Sequence, residues 1–192
     1  MQAKYAFILA AALALCSLAP ASQAVVLTGS ASANAVTDYS TVGQVAFDLD
    51  LDDFSPARLD FLVEAGDLLG PLSLNALVRN LSGSALSSFS FRLDGIRFAG
   101  AGSVTPTFGT LGQVGYGSDY ASIRFATPEW SEFHFGNPLA VDGASDWLLS
   151  TAGLRAGDRF SITTAVPEPS SAALMLAGLC MSGLLAARRR RG

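Results

Sequence analysis

The stretch that decides the fold is Val45-Ala46-Phe47-Asp48-Leu49-Asp50-Leu51-Asp52. Its large apolar side chains occupy every second position, and the positions between them hold one alanine and three aspartates. Successive side chains of a β-strand point to opposite faces, so one face of this segment is apolar and the other is acidic. The pattern predicts a strand with one face on a core and the other in solvent.

The same period of two recurs along the middle of the chain. It is clearest at 72–79, 88–94 and 159–163, and shorter strands are predicted at 57–63, 96–98, 121–125, 132–135 and 147–149. Segments rich in Gly, Asn, Asp and Pro separate these strands, as turns require. Many short strands at this spacing predict an all-β fold, an antiparallel β-sandwich of jelly-roll or immunoglobulin-like type. The pattern leaves the strand order open.

The first 24 residues are predicted to be a secretory signal peptide. Lys4 precedes an apolar run at 5–18, and small residues stand at Ser22 and Ala24, the two positions that a signal peptidase recognises. We expect cleavage after Ala24, with Ala21 as the weaker choice. The mature ectodomain is then 25–165.

The C-terminus combines three features in a fixed order. Pro167-Glu168-Pro169 is followed by a predicted transmembrane helix at 170–187. The apolar part, 172–187, covers about 24 Å as a helix, against about 30 Å for a hydrocarbon core. Directly behind it stands a basic tail of four consecutive arginines: Arg188, Arg189, Arg190 and Arg191. Arginines beside a span mark the cytoplasmic side, so the ectodomain is predicted on the opposite side of the inner membrane.

This tail, residues 166–192, resembles the PEP-CTERM sorting signal of Gram-negative bacteria that make exopolysaccharide. In that family a membrane enzyme, exosortase, a transpeptidase-like cysteine protease, recognises the motif, removes the span and passes the protein outward. The resemblance implies that Pro167, Glu168 and Pro169 are recognition residues and that exosortase is a partner. The alternative is an ordinary C-terminal membrane anchor in which Pro-Glu-Pro is only a linker.

The ectodomain's composition limits its partners and its means of stabilisation. Between residues 25 and 166 there are seven arginines, no lysine and fifteen Asp and Glu, a net charge of −8. Nucleic acid is therefore not expected as a partner, because phosphate binding needs a clustered basic face. Both cysteines, Cys16 and Cys180, lie outside this range, so the domain has to be held by packing alone.

The densest acidic group is Asp48, Asp50, Asp52 and Asp53. Carboxylates at a spacing of two point the same way from a strand, about 6 to 7 Å apart, which is wide for one ion. We interpret the group as a solvated acidic face, with a Ca²⁺ site as the alternative.

Glu129, Trp130 and Glu132 form the second candidate site. An exposed aromatic ring beside carboxylates is typical of sugar contacts, so these three residues are predicted to contact a sugar. A glycan hydrolase would need two carboxylates about 5 to 9.5 Å apart. The lone histidine, His134, has no Gly-x-Ser-x-Gly nucleophile elbow to serve, and it is predicted to be a surface or hydrogen-bonded strand residue. Trp147 is predicted to lie in the core.

These features together predict an exported surface or exopolysaccharide-matrix protein with a structural or adhesive role, not an enzyme, and no catalytic residue is assigned. Signal peptidase, exosortase and the inner membrane are its expected partners during export. The alternative is a carbohydrate-binding module of the extracellular matrix that binds exopolysaccharide, and a surface glycan hydrolase is a further one.

Overall fold

The computed structural model describes residues 24–167, which form thirteen strands and one short 3-10 helix, Ala65–Leu69. The strands are β1 Val26–Ala31, β2 Ala35–Asp38, β3 Gln44–Leu51, β4 Ala57–Leu62, β5 Leu72–Asn80, β6 Leu86–Asp94, β7 Arg97–Gly100, β8 Val104–Pro106, β9 Thr110–Tyr116, β10 Tyr120–Glu129, β11 Glu132–Phe135, β12 Trp147–Ser150 and β13 Arg159–Ala165. Within 24–167 no helix is long and apolar enough to cross a membrane. The predicted span at 170–187 and nearly all of the predicted signal peptide lie outside the described residues.

The first sheet has six strands in the order β1-β4-β13-β6-β10-β9, and every neighbouring pair is antiparallel. The last strand of the domain, β13, therefore lies inside the sheet, between β4 and β6. Because directions alternate across the sheet, β13 and β10 run the same way. The ends of these two strands, Ala165 and Glu129, lie on the same end of the molecule.

The second sheet contains the other seven strands. Its main path is β2-β3-β5-β11-β8, and β12 pairs with both β5 and β7. Strands β11 and β12 share one edge of the long strand β5: β12 pairs with 72–74 and β11 with 76–79.

One pair in this sheet, β3 with β5, is parallel, so the prediction of a wholly antiparallel sandwich is wrong at this point. The strand between them in sequence, β4, belongs to the first sheet. The chain therefore crosses to the other layer and returns before it continues as β5, and a parallel neighbour requires such a crossover. Alternating patterns reveal the strands but not this change of layer.

The two sheets pack face to face through aromatic side chains, which confirms the predicted β-sandwich. Phe89 of β6 meets Phe133 of β11 with ring centroids 5.2 Å apart, and Phe91 meets Phe135 at 4.1 Å. Trp147 is fully buried, stacks on Phe135 at 4.5 Å and donates its indole N–H to the backbone carbonyl at position 103. Its predicted place in the core is confirmed.

The predicted alternation is confirmed in β3, whose four large apolar side chains are all buried. Sequence patterns did not reveal β1, β2, β8 and β9. β1, β2 and β9 are mostly exposed and β8 is mostly half-buried, and all four lie at the ends of the strand order in their sheets. A strand with little apolar surface to bury carries no period-two signal.

Candidate functional site

The sorting motif begins almost directly at the end of β13. The strand ends at Ala165, Val166 packs against the core, and Pro167 is exposed. A proline has no backbone N–H to donate, so it cannot continue the ladder inside a sheet. Only Val166 therefore separates the sheet from the motif.

The rest of the predicted sorting signal is not covered by the structure. Two motif residues and the four arginines of the basic tail lie outside the described residues: Glu168, Pro169, Arg188, Arg189, Arg190 and Arg191. Their predicted roles, recognition by the sorting enzyme for the first two and a membrane stop for the arginines, stay predictions.

Pro167 lies against the outer face of the first sheet. It lines a shallow groove of about 290 Å³ together with Ser88, Gln113 and Arg124. Arg124 makes no salt bridge with another residue of the described range 24–167. The first residue of the motif thus has a cation beside it.

The strand that carries the motif is held on both sides. β13 pairs with β4 over 159–164 and with β6 over 161–165, and the hydroxyl of Ser90 also donates to the carbonyl of Ala165. Withdrawing β13 would break the first sheet in its middle. The motif is therefore presented by a folded domain and not by a loose linker.

Glu129 lies at the same end of the molecule, and it is buried. One carboxylate oxygen accepts the backbone N–H groups of Phe108 and Gly109, at 3.0 and 2.8 Å. The other accepts those of Trp130 and Ser131, both at 2.9 Å. Burial acts to raise the pKa of Glu129, but the four backbone hydrogen bonds together outweigh it and hold the pKa below its ordinary value.

The predicted role of Glu129 as a sugar contact is therefore wrong. Both of its oxygens are occupied by the backbone, and the side chain is covered. A carboxylate with a lowered pKa that accepts four N–H groups is also unsuited to be the general acid of a hydrolase. Its role is to tie the segment at 108–109 to the turn at 130–131.

Each of the two tied segments displays an exposed aromatic ring. Trp130 is 58 % exposed and Phe108 is 73 % exposed. Trp130 was predicted from sequence to be exposed, and this is confirmed. Phe108 was not predicted, because it becomes relevant only through the carboxylate that joins its segment to that of Trp130. Leu81 is also exposed. It lies near Trp130, because the backbone N–H of its neighbour Asn80 donates to the carbonyl of Ser131.

The acidic group on β3 lies on the outer face of the second sheet, where Arg79 of β5 neutralises part of it. The guanidinium bonds Asp50 at 2.7 Å and also bonds Asp48, and its Nε lies 4.0 Å from Glu132. Glu132 is thus on the sheet face and not with Trp130. The parallel register places Asp50 directly opposite Arg79, and sequence patterns could not show this.

Asp52 and Asp53 lie beyond the end of β3 and are exposed. Asp53 accepts hydrogen bonds from the hydroxyl and the backbone N–H of Ser55, which lower its pKa. Among residues 24–167 there is no group of three or more His, Cys, Asp or Glu side chains arranged to hold a metal ion. Calcium binding at these four aspartates stays a prediction, and it would have to displace Arg79 from Asp48 and Asp50.

His134 lies beside Glu132 on the same face, with its side chain 15 % exposed and its Nε2 3.7 Å from Glu132. This nitrogen is buried and has no hydrogen-bond partner within the described residues. A groove of about 400 Å³ crosses the same face of the sheet, lined among others by Tyr39, Asn75 and Leu139.

Comparison with known families gives one match. The PEP-CTERM protein-sorting motif matches residues 165–191, so the match begins on the last residue of β13. It supports an exported protein that is held transiently in the membrane and sorted to the cell surface, with exosortase as the processing partner. No curated protein and no solved structure matches the chain significantly.

Proposed function

We propose that this protein is a structural or adhesive component of the surface or exopolysaccharide matrix of a Gram-negative bacterium. The observation that carries the proposal is the sorting motif at 165–191, joined without a linker to a central strand of a folded β-sandwich. A domain attached in this way reaches the surface as a folded unit with its C-terminus at one end.

Export would proceed in two cuts. Signal peptidase cuts after Ala24, which makes Val25 the first residue, and the side chain of Val25 is buried against the core. The tail then holds the sandwich on the outer side of the inner membrane until exosortase cuts at the motif. The first cut lies next to β1 and the second soon after β13, so the processed chain would be almost entirely sandwich.

The test is the C-terminal mass of the protein recovered from the native cell surface or medium. We expect a chain that ends between Pro167 and Ser170, and any added mass would identify the molecule to which it is joined. Glu168→Ala is the matched control, which should keep the chain intact to Gly192. A wild-type chain that still ends at Gly192 in the inner membrane would contradict sorting and identify the tail as a plain anchor.

The structure favours one second candidate, carbohydrate binding. Trp130 and Phe108 are exposed rings on backbone that is already fixed by Glu129, so little conformational freedom would be lost when a sugar stacks on them. Exopolysaccharide is the expected ligand.

Binding of the processed protein to extracted polysaccharide tests this candidate. Trp130→Ala should weaken binding about tenfold, the equivalent of about 1.4 kcal/mol. Tyr120→Ala is the control, because Tyr120 is an exposed aromatic residue at the start of β10, whereas Glu129 ends that strand at the opposite end of the sandwich. Equal affinities for both variants would rule out Trp130 as the sugar contact.

A further inference from the structure

We propose that the end of the sandwich carrying Leu81, Phe108 and Trp130 contacts the lipid surface while the precursor is anchored. We call this the exit end, because β13 leaves the domain there. The proposal rests on the proposed function in one respect, namely that the tail spans the membrane. Its partner is the interfacial layer of the bilayer, where Trp is enriched and where amphipathic surfaces bury Trp, Phe and Leu side chains.

The chain between the domain and the membrane is short. Three peptide bonds separate Pro167 from Ser170, where the predicted span begins. Even fully extended, the chain from Pro167 to Ser170 covers at most about 11 Å. The exit end, where β13 leaves the domain, is therefore held next to the headgroups.

The strand register gives the height of the Glu129 turn, which carries Trp130, relative to Pro167. Ala165 pairs with Ser90, so Pro167, two residues further, lies level with Ser88. Glu129 pairs with Leu86, two residues beyond Ser88 in the same direction. At about 3.3 Å per residue, the Glu129 turn reaches roughly 7 Å further towards the membrane than Pro167 does.

The turn ends at most about 4 Å short of the start of the span, a gap that a Trp or Phe side chain covers, so the rings reach the interface. The span begins at most about 11 Å beyond Pro167, and the turn extends about 7 Å in that direction before its side chains are counted. Interfacial contacts bury apolar side chains to about 5 to 10 Å at the headgroup boundary. Trp130 and Phe108 have the size and exposure for that depth.

The two exposed rings are held on rigid backbone. The carboxylate of Glu129 bonds the backbone N–H groups of both Phe108 and Trp130, so the two rings are carried on one fixed unit. Asp52 and Asp53 are exposed, and they follow Leu51, which pairs with Asn80 beside the Trp130 turn, so they lie at the same end and would be repelled by anionic headgroups. The contact is therefore apolar, and it should not require anionic lipid.

The protein carries its own reporter, because Trp130 is exposed and Trp147 is buried in the core. The chain with its tail intact is reconstituted in phosphatidylethanolamine and phosphatidylglycerol vesicles that contain brominated lipids. Trp130 emission is obtained by subtracting the emission of a Trp130→Phe variant. We expect bromine to quench Trp130 strongly and its emission to lie to the blue of that seen in detergent-free buffer after the tail is removed.

The matched control places a tryptophan at the opposite end. Leu69 is 90 % exposed and lies in the 3-10 helix after β4, whose final residue pairs with the first residue of β13. In a Trp130→Phe/Leu69→Trp variant the new tryptophan should escape quenching. Equal quenching at both positions, or none at Trp130, would overturn the proposal.

These outcomes are separable from failure of sorting. The C-terminal mass reports whether exosortase cuts the chain, whereas lipid quenching is measured without the enzyme. A chain that is cut normally but shows no quenching of Trp130 would leave the sorting function intact and remove the lipid contact. Quenching of Trp130 in a chain that cells do not cut would retain the contact and remove the sorting function.

Discussion

The negative charges at two places in this protein are compensated by different kinds of partner. Glu129 is buried, and its charge is compensated by four backbone N–H groups. Asp48 and Asp50 lie on the outer face of a sheet, and a partly exposed arginine, Arg79, compensates them. Glu129 connects two chain segments, whereas the ion pairs of Arg79 with Asp48 and Asp50 reduce the charge of a surface.

The buried hydrogen bonds of Glu129 are expected to contribute more to the free energy of unfolding than the surface ion pairs of Arg79. A hydrogen bond to a buried charged group contributes about 1.5 to 3 kcal/mol, and removing the acceptor leaves several donors unpaired. An ion pair exposed to solvent contributes about 0 to 1 kcal/mol and is screened by salt. Four aspartates close together in sequence are therefore expected to stabilise the domain less than one isolated glutamate.

The largest effect is expected for Glu129→Ala. It should lower the free energy of unfolding by about 3 kcal/mol, because the N–H groups at 108–109 and 130–131 lose their acceptor. Urea denaturation of the processed protein measures this. Glu132→Ala, three residues away, is the control and should cost about 1 kcal/mol or less. Equal losses in the two variants would contradict the assigned role of Glu129.

The next effect is the dependence of stability on pH. Since the folded pKa of Glu129 is lowered, its contribution is complete above the unfolded value of about 4.3 and is lost as the pH falls through the folded pKa. The free energy of unfolding should therefore decline below about pH 4.3. In Glu129→Gln this decline should be shallower, and denaturation curves at several pH values below about 5 would show it. Parallel curves for variant and wild type would refute the assignment.

A smaller effect is expected for Arg79→Ala, about 1 kcal/mol, because the guanidinium is partly exposed. The loss should shrink at high salt, since screening weakens the ion pairs it removes. Arg97→Ala is the control, because Arg97 is exposed and has no salt bridge within the described residues. A loss that did not respond to salt would point to packing by the arginine stem instead.

The smallest effect concerns calcium. Arg79 bonds both Asp48 and Asp50, so millimolar Ca²⁺ should leave the melting temperature of the wild-type protein nearly unchanged. In Arg79→Ala the carboxylates are uncompensated, and Ca²⁺ should raise the melting temperature by ligand linkage. Thermal unfolding with Ca²⁺ and with a chelator decides this. A clear rise in the wild-type protein would show that calcium displaces the arginine.

The sequence predicted the interior strands well and the edges poorly. Strand β11 was predicted with its observed bounds, Glu132–Phe135, because Phe133 and Phe135 bury one face. Strand β9 was missed, since its residues are largely exposed and carry no alternation. For the site, exposure of Trp130 was predicted, but the same pattern placed Glu129 in solvent. Alternation cannot distinguish a solvated carboxylate from one that is enclosed by the backbone of a distant segment.

The sequence by itself determined the strands with a buried face, the sorting tail and the order in which the chain carries them, because periodicity and motifs are local properties. The tertiary structure decided what depends on contacts between distant residues. It placed β13 between β4 and β6, made β3 and β5 parallel, and brought Phe108 to Glu129. Such contacts depend on which strand adds to which sheet, and that choice is made by burial of the whole core.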